Sequence, residues 1–161
     1  MPGYESVASL MAADERGELS DEDFDDELWG SLTDLIESPE DAAEYAEAVR
    51  VYFASRLLQW EVDNGGFAQA AYNIPEWFEL AAWAYERLGL RKAAALIREA
   101  VPLLDEERTT FTAEEIGGLF QQFAESRFAA LDERLEESDW WADEERLRYV
   151  RAHREGFASV T

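Results

Sequence analysis

Apolar residues recur along this chain at intervals of three and four, and nowhere do they alternate convincingly with period two. That pattern predicts helices throughout and no sheet. Residues 4–13 read as a short helix, and Asp14 to Ser20 as a polar turn holding Gly17. Ser20 is placed to cap a helix over about 21–37, with Phe24, Leu28, Leu32, Leu35 and Ile36 as its apolar stripe. Ser38-Pro39-Glu40-Asp41 is a second start signal, with Pro39 at the first helical position. The helix after it runs to about Asp63, and Ala42, Ala46, Val49, Phe53, Leu57 and Trp60 form its core face, widened by Tyr45, Tyr52 and Leu58.

Asn64-Gly65-Gly66 ends that helix, and Phe67 to Tyr72 fits one or two further turns. Asn73-Ile74-Pro75 breaks the chain again. A helix over about 75–88 follows, apolar nearly all round, and Gly89 ends it. Residues 91–101 form an Ala-rich helix, and Asp105 to Thr110 a loop. Thr112 to Glu115 is a capping box, with Phe111 and Ile116 as its staple, opening a helix through Leu119, Phe120 and Phe123. Phe128, Leu131 and Leu135 mark another helix. A last one spans about 140–155, ended by Gly156, with Phe157 folding back onto the core. The fold expected is all-α: a single compact multi-helix domain of about seven to nine helices, in which residues 1–39 form an acidic helical extension packed on a core over 40–158.

Composition removes several chemistries. There is no Cys, hence no disulfide, thiolate metal site or cysteine nucleophile. No basic leader and no bilayer-length apolar run is present, so a cytoplasmic protein is expected. The one histidine, His153, lies among arginines, and no phosphate-binding loop or nucleophile triad can be assembled. Glu61 and Asp63 stand two apart, so on a helix they point different ways. The expectation is a protein that is not an enzyme and holds no metal or cofactor.

Charge is the strongest signal. There are 37 Asp+Glu against 14 Lys+Arg, a net of −23. Residues 1–48 alone hold sixteen acids and one base, Arg16. Such a chain repels nucleic acid and anionic membranes and attracts basic surfaces. Asp21, Glu22, Asp23, Asp25, Asp26 and Glu27 crowd the first turns of one helix, and Asp132, Glu133, Glu136 and Glu137 line another. Some acid at a helix start is favourable. Like charges four apart, such as Asp21 with Asp25 and Glu22 with Asp26, each cost about 0.2–0.5 kcal/mol. Carboxylates on successive helical turns lie about 5–6 Å apart, close to the spacing of phosphates along one DNA strand, so these rows can imitate a phosphate array. A solvated face, or a general acidity of the kind that a single lysine (Lys92) accompanies, accounts for the same charge.

Glu61-Val62-x-Asn64-Gly65-Gly66-Phe67-x-Gln69, followed by Asn73, resembles the signature of a bacterial DNA mimic protein family of helical proteins. Leu88-Gly89, Leu131-Asp132 and Tyr149-Val150-x-x-His153-x-x-x-Phe157 agree with it, so the resemblance covers roughly residues 40–158. It implies a dimeric acidic protein that binds a helix-turn-helix regulator in place of operator DNA. The signature residues themselves read as a helix stop and turn, with Phe67 as core anchor and Asn64 and Gln69 as hydrogen-bonding ties. Three functional readings follow. The first is a DNA mimic that binds a basic DNA-binding protein through the ten acids named above. The second is an immunity protein or antitoxin neutralising a basic nuclease toxin. The third is a pocket protein centred on Glu61, Asn64 and Gln69.

Overall fold

The computed structural model describes residues 3–110 and 128–160. Among them there are helices and no strands, as the apolar spacing predicts. The capping box read at Thr112, its staple and the helix through Phe123 lie outside the described residues. Among the described residues no helix is long and apolar enough to cross a membrane. Contacts group the chain into two compact units, one made of the residues through Phe53 together with those from Asp143 on, the other of Ala54–Ala142.

The first unit begins with α1 (Val7–Glu15) and α2 (Asp21–Thr33). The Ser6 and Ser20 side chains cap them, each accepting a hydrogen bond from the amide three residues on. Phe24, Leu28 and Leu32 are buried as expected. α2 ends before Leu35, which is left 37% exposed, while Ile36 is still buried. α3 (Pro39–Ala42) opens with a full capping box between Ser38 and Asp41. It stops after four residues, which corrects the reading of one helix from Pro39 to Asp63. Residues 43–46 turn with i→i+3 bonds such as Tyr45 N–H to the Ala42 carbonyl, and α4 (Glu47–Asn73) starts afresh. Gly156 lies close against the chain at that restart. A Cβ placed on Gly156 would lie 3.3 Å from the methyls of both Ala46 and Ala48. α8 (Asp143–Ala152) and α9 (Arg154–Ala158) complete the unit. They divide at His153, so the single helix expected over 140–155 is two, and Gly156 lies inside the second. Tyr52 ties this core together: its ring meets Phe157 edge-on at 6.0 Å, and Trp29 stacks on Phe53 at 4.8 Å.

The second unit holds the rest of α4, a 3-10 turn (Pro75–Trp77), α5 (Phe78–Arg87), α6 (Arg91–Thr110) and α7 (Phe128–Glu136). α5 and α6 form a hairpin. Gly89, at φ +85°, turns the chain so that Leu90 N–H reaches the Tyr85 carbonyl and Gly89 N–H the Glu86 carbonyl. α6 runs on through Pro102 to Thr110, where a loop was expected from Asp105. Pro102 removes one intrahelical bond, but helix-favouring residues follow it. The stripe read off the sequence holds in the first turns of α4, where Val49 and Phe53 are buried, and fails further along. Tyr52, Ser55, Leu58, Gln59 and Val62 are buried, Leu57 is intermediate, and Trp60 stands 61% exposed instead of in the core.

α4 breaks at Gly65 and Gly66 and resumes at Phe67. Gly66, at φ +71° and ψ −173°, occupies a region open essentially only to glycine. Its Cα is also overlaid closely: an added Cβ would lie 2.6 Å from Asp132 Oδ2. Asp132 is there because the restarted helix needs a cap. The Phe67 N–H donates to its Oδ1 at 2.8 Å. The expected stop is therefore a break within one continuing helix.

Gly66→Ala is expected to destabilise the protein by about 1–3 kcal/mol. Gly89→Ala, whose methyl meets nothing within 4 Å, is expected to cost only about 1–2 kcal/mol. Asp132→Ala strands the Phe67 amide and is expected to cost about 1–3 kcal/mol. In urea unfolding, the double variant of Gly66 and Asp132 should cost less than the sum, because the methyl clashes with the carboxylate that has been removed. Strict additivity would show that glycine and carboxylate act separately.

Candidate functional site

The α2 acids come first because the local sequence forces them outward. Phe24, Leu28 and Leu32 fix the buried face, so Asp21, Glu22 and Asp26 are exposed, and Asp23, Asp25 and Glu27 are partly so. Asp21, Glu22, Asp25 and Asp26 share a groove of about 370 Å³ with Asp143 and Leu147 of α8. Five carboxylates thus face one leucine. Two of the α2 acids are set in place from within. Asp25 Oδ1 accepts from the Tyr52 hydroxyl at 2.8 Å. Asp21 Oδ1 accepts from Arg151 Nη2 at 2.7 Å. Glu22 and Asp23 make no side-chain hydrogen bond or ion pair among the described residues.

Beneath this row lies a carboxylate that the sequence reading passed over as part of a turn. Asp14, with its side chain 2% exposed, is gripped by two arginines. Arg151 donates from Nε and Nη2 to its two oxygens at 3.1 and 2.9 Å, and Arg154 Nη2 adds a third bond at 2.8 Å. Burial alone pushes the Asp14 carboxyl up. The hydrogen bonds and charges of Arg151 and Arg154 outweigh it and hold the group below its ordinary value. Arg151 therefore joins α1, α2 and α8 in one ionic cluster, with its guanidinium also 5.3 Å from the Phe24 ring centre. Asp143 pairs at 3.2 Å with Arg146, whose side chain is buried. Neither Asp14 nor Asp143 was singled out from sequence, because each is defined by a partner far along the chain or by a neighbouring helix.

The second acidic run belongs to the other unit. Glu133, Glu136 and Glu137 of α7 and the turn after it are exposed. Glu137 lines a groove of about 420 Å³ with Lys92, Glu99, Arg134 and others. Asp132 is placed differently, since it is the cap of Phe67. Burial pushes its carboxyl above the ordinary value, the Phe67 amide offsets part of that, and the charge of Glu136 adds to the rise.

The signature residues are bonded mainly to one another. Glu61 Oε2 accepts from Gln69 Nε2 at 3.0 Å and from Asn73 Nδ2 at 2.9 Å. These bonds lace the two arms of α4 across the break. Asn64 Nδ2 donates to the Trp60 carbonyl at 2.7 Å, at the end of the first arm. Phe67 is fully buried and tilts against Phe78 at 6.1 Å. A side chain on Gly65 would run into Gln69, whose Cβ stands 2.8 Å away. His153 is likewise local: its Nδ1 lies 2.8 Å from the Tyr149 carbonyl and its ring stacks on Tyr149. Among the described residues, no group of three His, Asp or Glu converges as a metal site.

Removing the charge of Asp14 leaves two partly buried guanidiniums short of an anion. Asp14→Asn is expected to cost about 3 kcal/mol, the low end for a broken buried pair, because Arg151 keeps Asp21. The pH dependence follows from the depressed carboxyl. Its stabilisation is present above the ordinary value of 3.8 and is lost as pH falls through the lower folded-state value. The gap in urea midpoint between wild type and Asp14→Asn should therefore be full at pH 7 and should narrow below about pH 4. A gap that did not change with pH would show that Asp14 acts by shape rather than charge.

Comparison with known proteins bears on the broken helix more than on the acids. A family model described as DMP19-like protein matches residues 43–153. No curated protein and no solved structure matches the chain. The matched segment takes in the Gly65–Gly66 break, the Glu61, Gln69 and Asn73 lacing, the Asp132 cap and the Asp143 edge of the groove, and it leaves α1, α2 and α3 before it. It covers well over half of the chain, which therefore belongs to the DMP19-like protein family.

Proposed function

We propose that the protein is an acidic protein-binding module, a DNA mimic that occupies the DNA-binding surface of a basic partner. A helix-turn-helix regulator is the type of partner that the family resemblance suggests. The observation that carries the reading is the α2 groove, where Asp21, Glu22, Asp25, Asp26 and Asp143 line one cleft. Arg151 and Tyr52 hold two of these carboxylates in position, so the row meets a partner with little ordering left to do. Duplex DNA carries about one charge per 1.7 Å of axis, and a helix bearing acids on successive turns offers comparable density to an arginine-lined groove. Glu133, Glu136 and Glu137 are a second row of the same chemistry. Asp132 is not counted with them, because its carboxylate already serves Phe67. Membership of the family supports the reading.

Affinity capture from the native host at low salt, eluted with a salt gradient, tests it. A DNA-binding protein released by salt and displaced by its own DNA is the expected outcome, with affinity falling about tenfold or more between 50 and 200 mM salt. Glu22→Gln combined with Asp26→Asn and Glu27→Gln should weaken that complex while leaving thermal unfolding nearly unchanged, since none of the three is buried. Binding that ignored both salt and these substitutions would sink the mimic reading, and recovery of a nuclease toxin would replace it with the immunity reading.

A further inference from the structure

The groove that Glu137 lines belongs wholly to the Ala54–Ala142 unit and holds about 420 Å³. That volume lies in the lower part of the range that small-molecule sites occupy. Lys92, Leu96 and Glu99 supply one wall, spaced by four and three so that they share a face of α6. Arg134, Glu137 and Ser138 supply the other, spaced by three and one on the last turns of α7 and just after it. Leu96 is buried and gives the groove an apolar floor. None of Glu61, Asn64 and Gln69 lines it.

The charges in the groove are only half matched. Arg134 and Glu99 pair across it at 2.8 Å. Lys92 stands seven residues before Glu99, about 10 Å back along the helix. Lys92 and Glu137 are both exposed, and among the described residues neither makes a side-chain hydrogen bond or ion pair, with the other or elsewhere. Ser138 Oγ donates to the Leu135 carbonyl at 2.7 Å, which leaves its lone pairs to accept. In a chain that carries −23, the groove itself is balanced, with Lys92 and Arg134 against Glu99 and Glu137. A simple anion meets two carboxylates there, and a simple cation meets two bases. A ligand with both charges can turn each toward its opposite. We propose that this groove binds a small zwitterion of the amino-acid class with an apolar side chain. The ligand carboxylate meets the Lys92 ammonium, its ammonium meets Glu137 and the Ser138 hydroxyl, and its apolar body covers Leu96. The site goes beyond the DNA-mimic reading, because it gives the protein a small-molecule ligand in the unit that does not carry α2.

The test titrates the full chain with L-leucine and with two analogues of the same apolar body, isocaproate without the ammonium and isoamylamine without the carboxylate. Calorimetry gives the affinities, and the backbone amide signals of α6 and α7 report the place. Wild type should bind leucine about tenfold more tightly than either analogue, each of which has lost one charge-assisted bond. Lys92→Gln should weaken leucine about tenfold and leave isoamylamine within about twofold. Glu137→Gln should weaken leucine similarly and spare isocaproate. Both side chains are exposed, and thermal unfolding of each variant shows that the fold persists. Equal affinity for the three compounds overturns the proposal, as does the absence of a saturable response to leucine, or leucine binding that survives both substitutions. Energetic coupling between Lys92 and Glu137 in urea unfolding of the free protein also overturns it, since the two charges would then satisfy each other. Lys92 is no part of the acidic rows, so failure of its substitution bears on the groove alone. The charge-neutralised α2 variant should bind leucine like wild type, and its loss of a macromolecular partner bears on the mimic reading alone.

Discussion

The Arg151 guanidinium is the contact on which the acidic face depends. A helix that opens with Asp21, Glu22, Asp23, Asp25, Asp26 and Glu27 repels itself and has no base of its own. Its relief comes from α8, where Arg151 meets Asp21 on one side and the buried Asp14 on the other. Asp14 in turn is tolerable in the interior only because Arg151 and Arg154 both reach it. The arrangement is reciprocal: the arginines allow a buried acid, and that acid fixes the arginine that steadies an exposed one. With 14 bases among 161 residues, the placement of each cation carries structural weight.

What could be read from sequence was whatever the chain encodes locally. Ser20 and Ser38 announce helix starts because a cap needs only the next three residues. The Gly65-Gly66 pair announces a break because few other residues adopt that backbone. The all-α class follows from spacing that repeats through the chain. The misreadings lie where a distant neighbour decides. Pro39 to Asp63 reads as one helix, but α3 stops at Ala42 and α4 starts at Glu47, with Ala46 and Ala48 close against Gly156. The helix read over 91–101 runs on through Pro102 to Thr110, where a loop was expected. Asp132 looks like one more surface acid until Phe67, 65 residues earlier, supplies the amide it caps. Asp143 joins the α2 groove from another helix, and no spacing within α2 points to it.

The family match and the acidic face of α2 fall on different parts of the chain. The matched segment contains the laced break of α4 and its cap, which are matters of architecture. All of the α2 acids lie before that segment, and α8 contributes the Asp143 side of the cleft from within it.

The cap on Phe67 has a consequence for how the chain is built. Glycine makes the break in α4 available as soon as residues 65 and 66 exist, but the acceptor that closes it arrives 65 residues later. During synthesis the second arm of α4 emerges without its carboxylate acceptor, which follows only with α7. A nascent chain stalled before Asp132 thus carries the two glycines that permit the break but not the carboxylate that caps the helix beyond it.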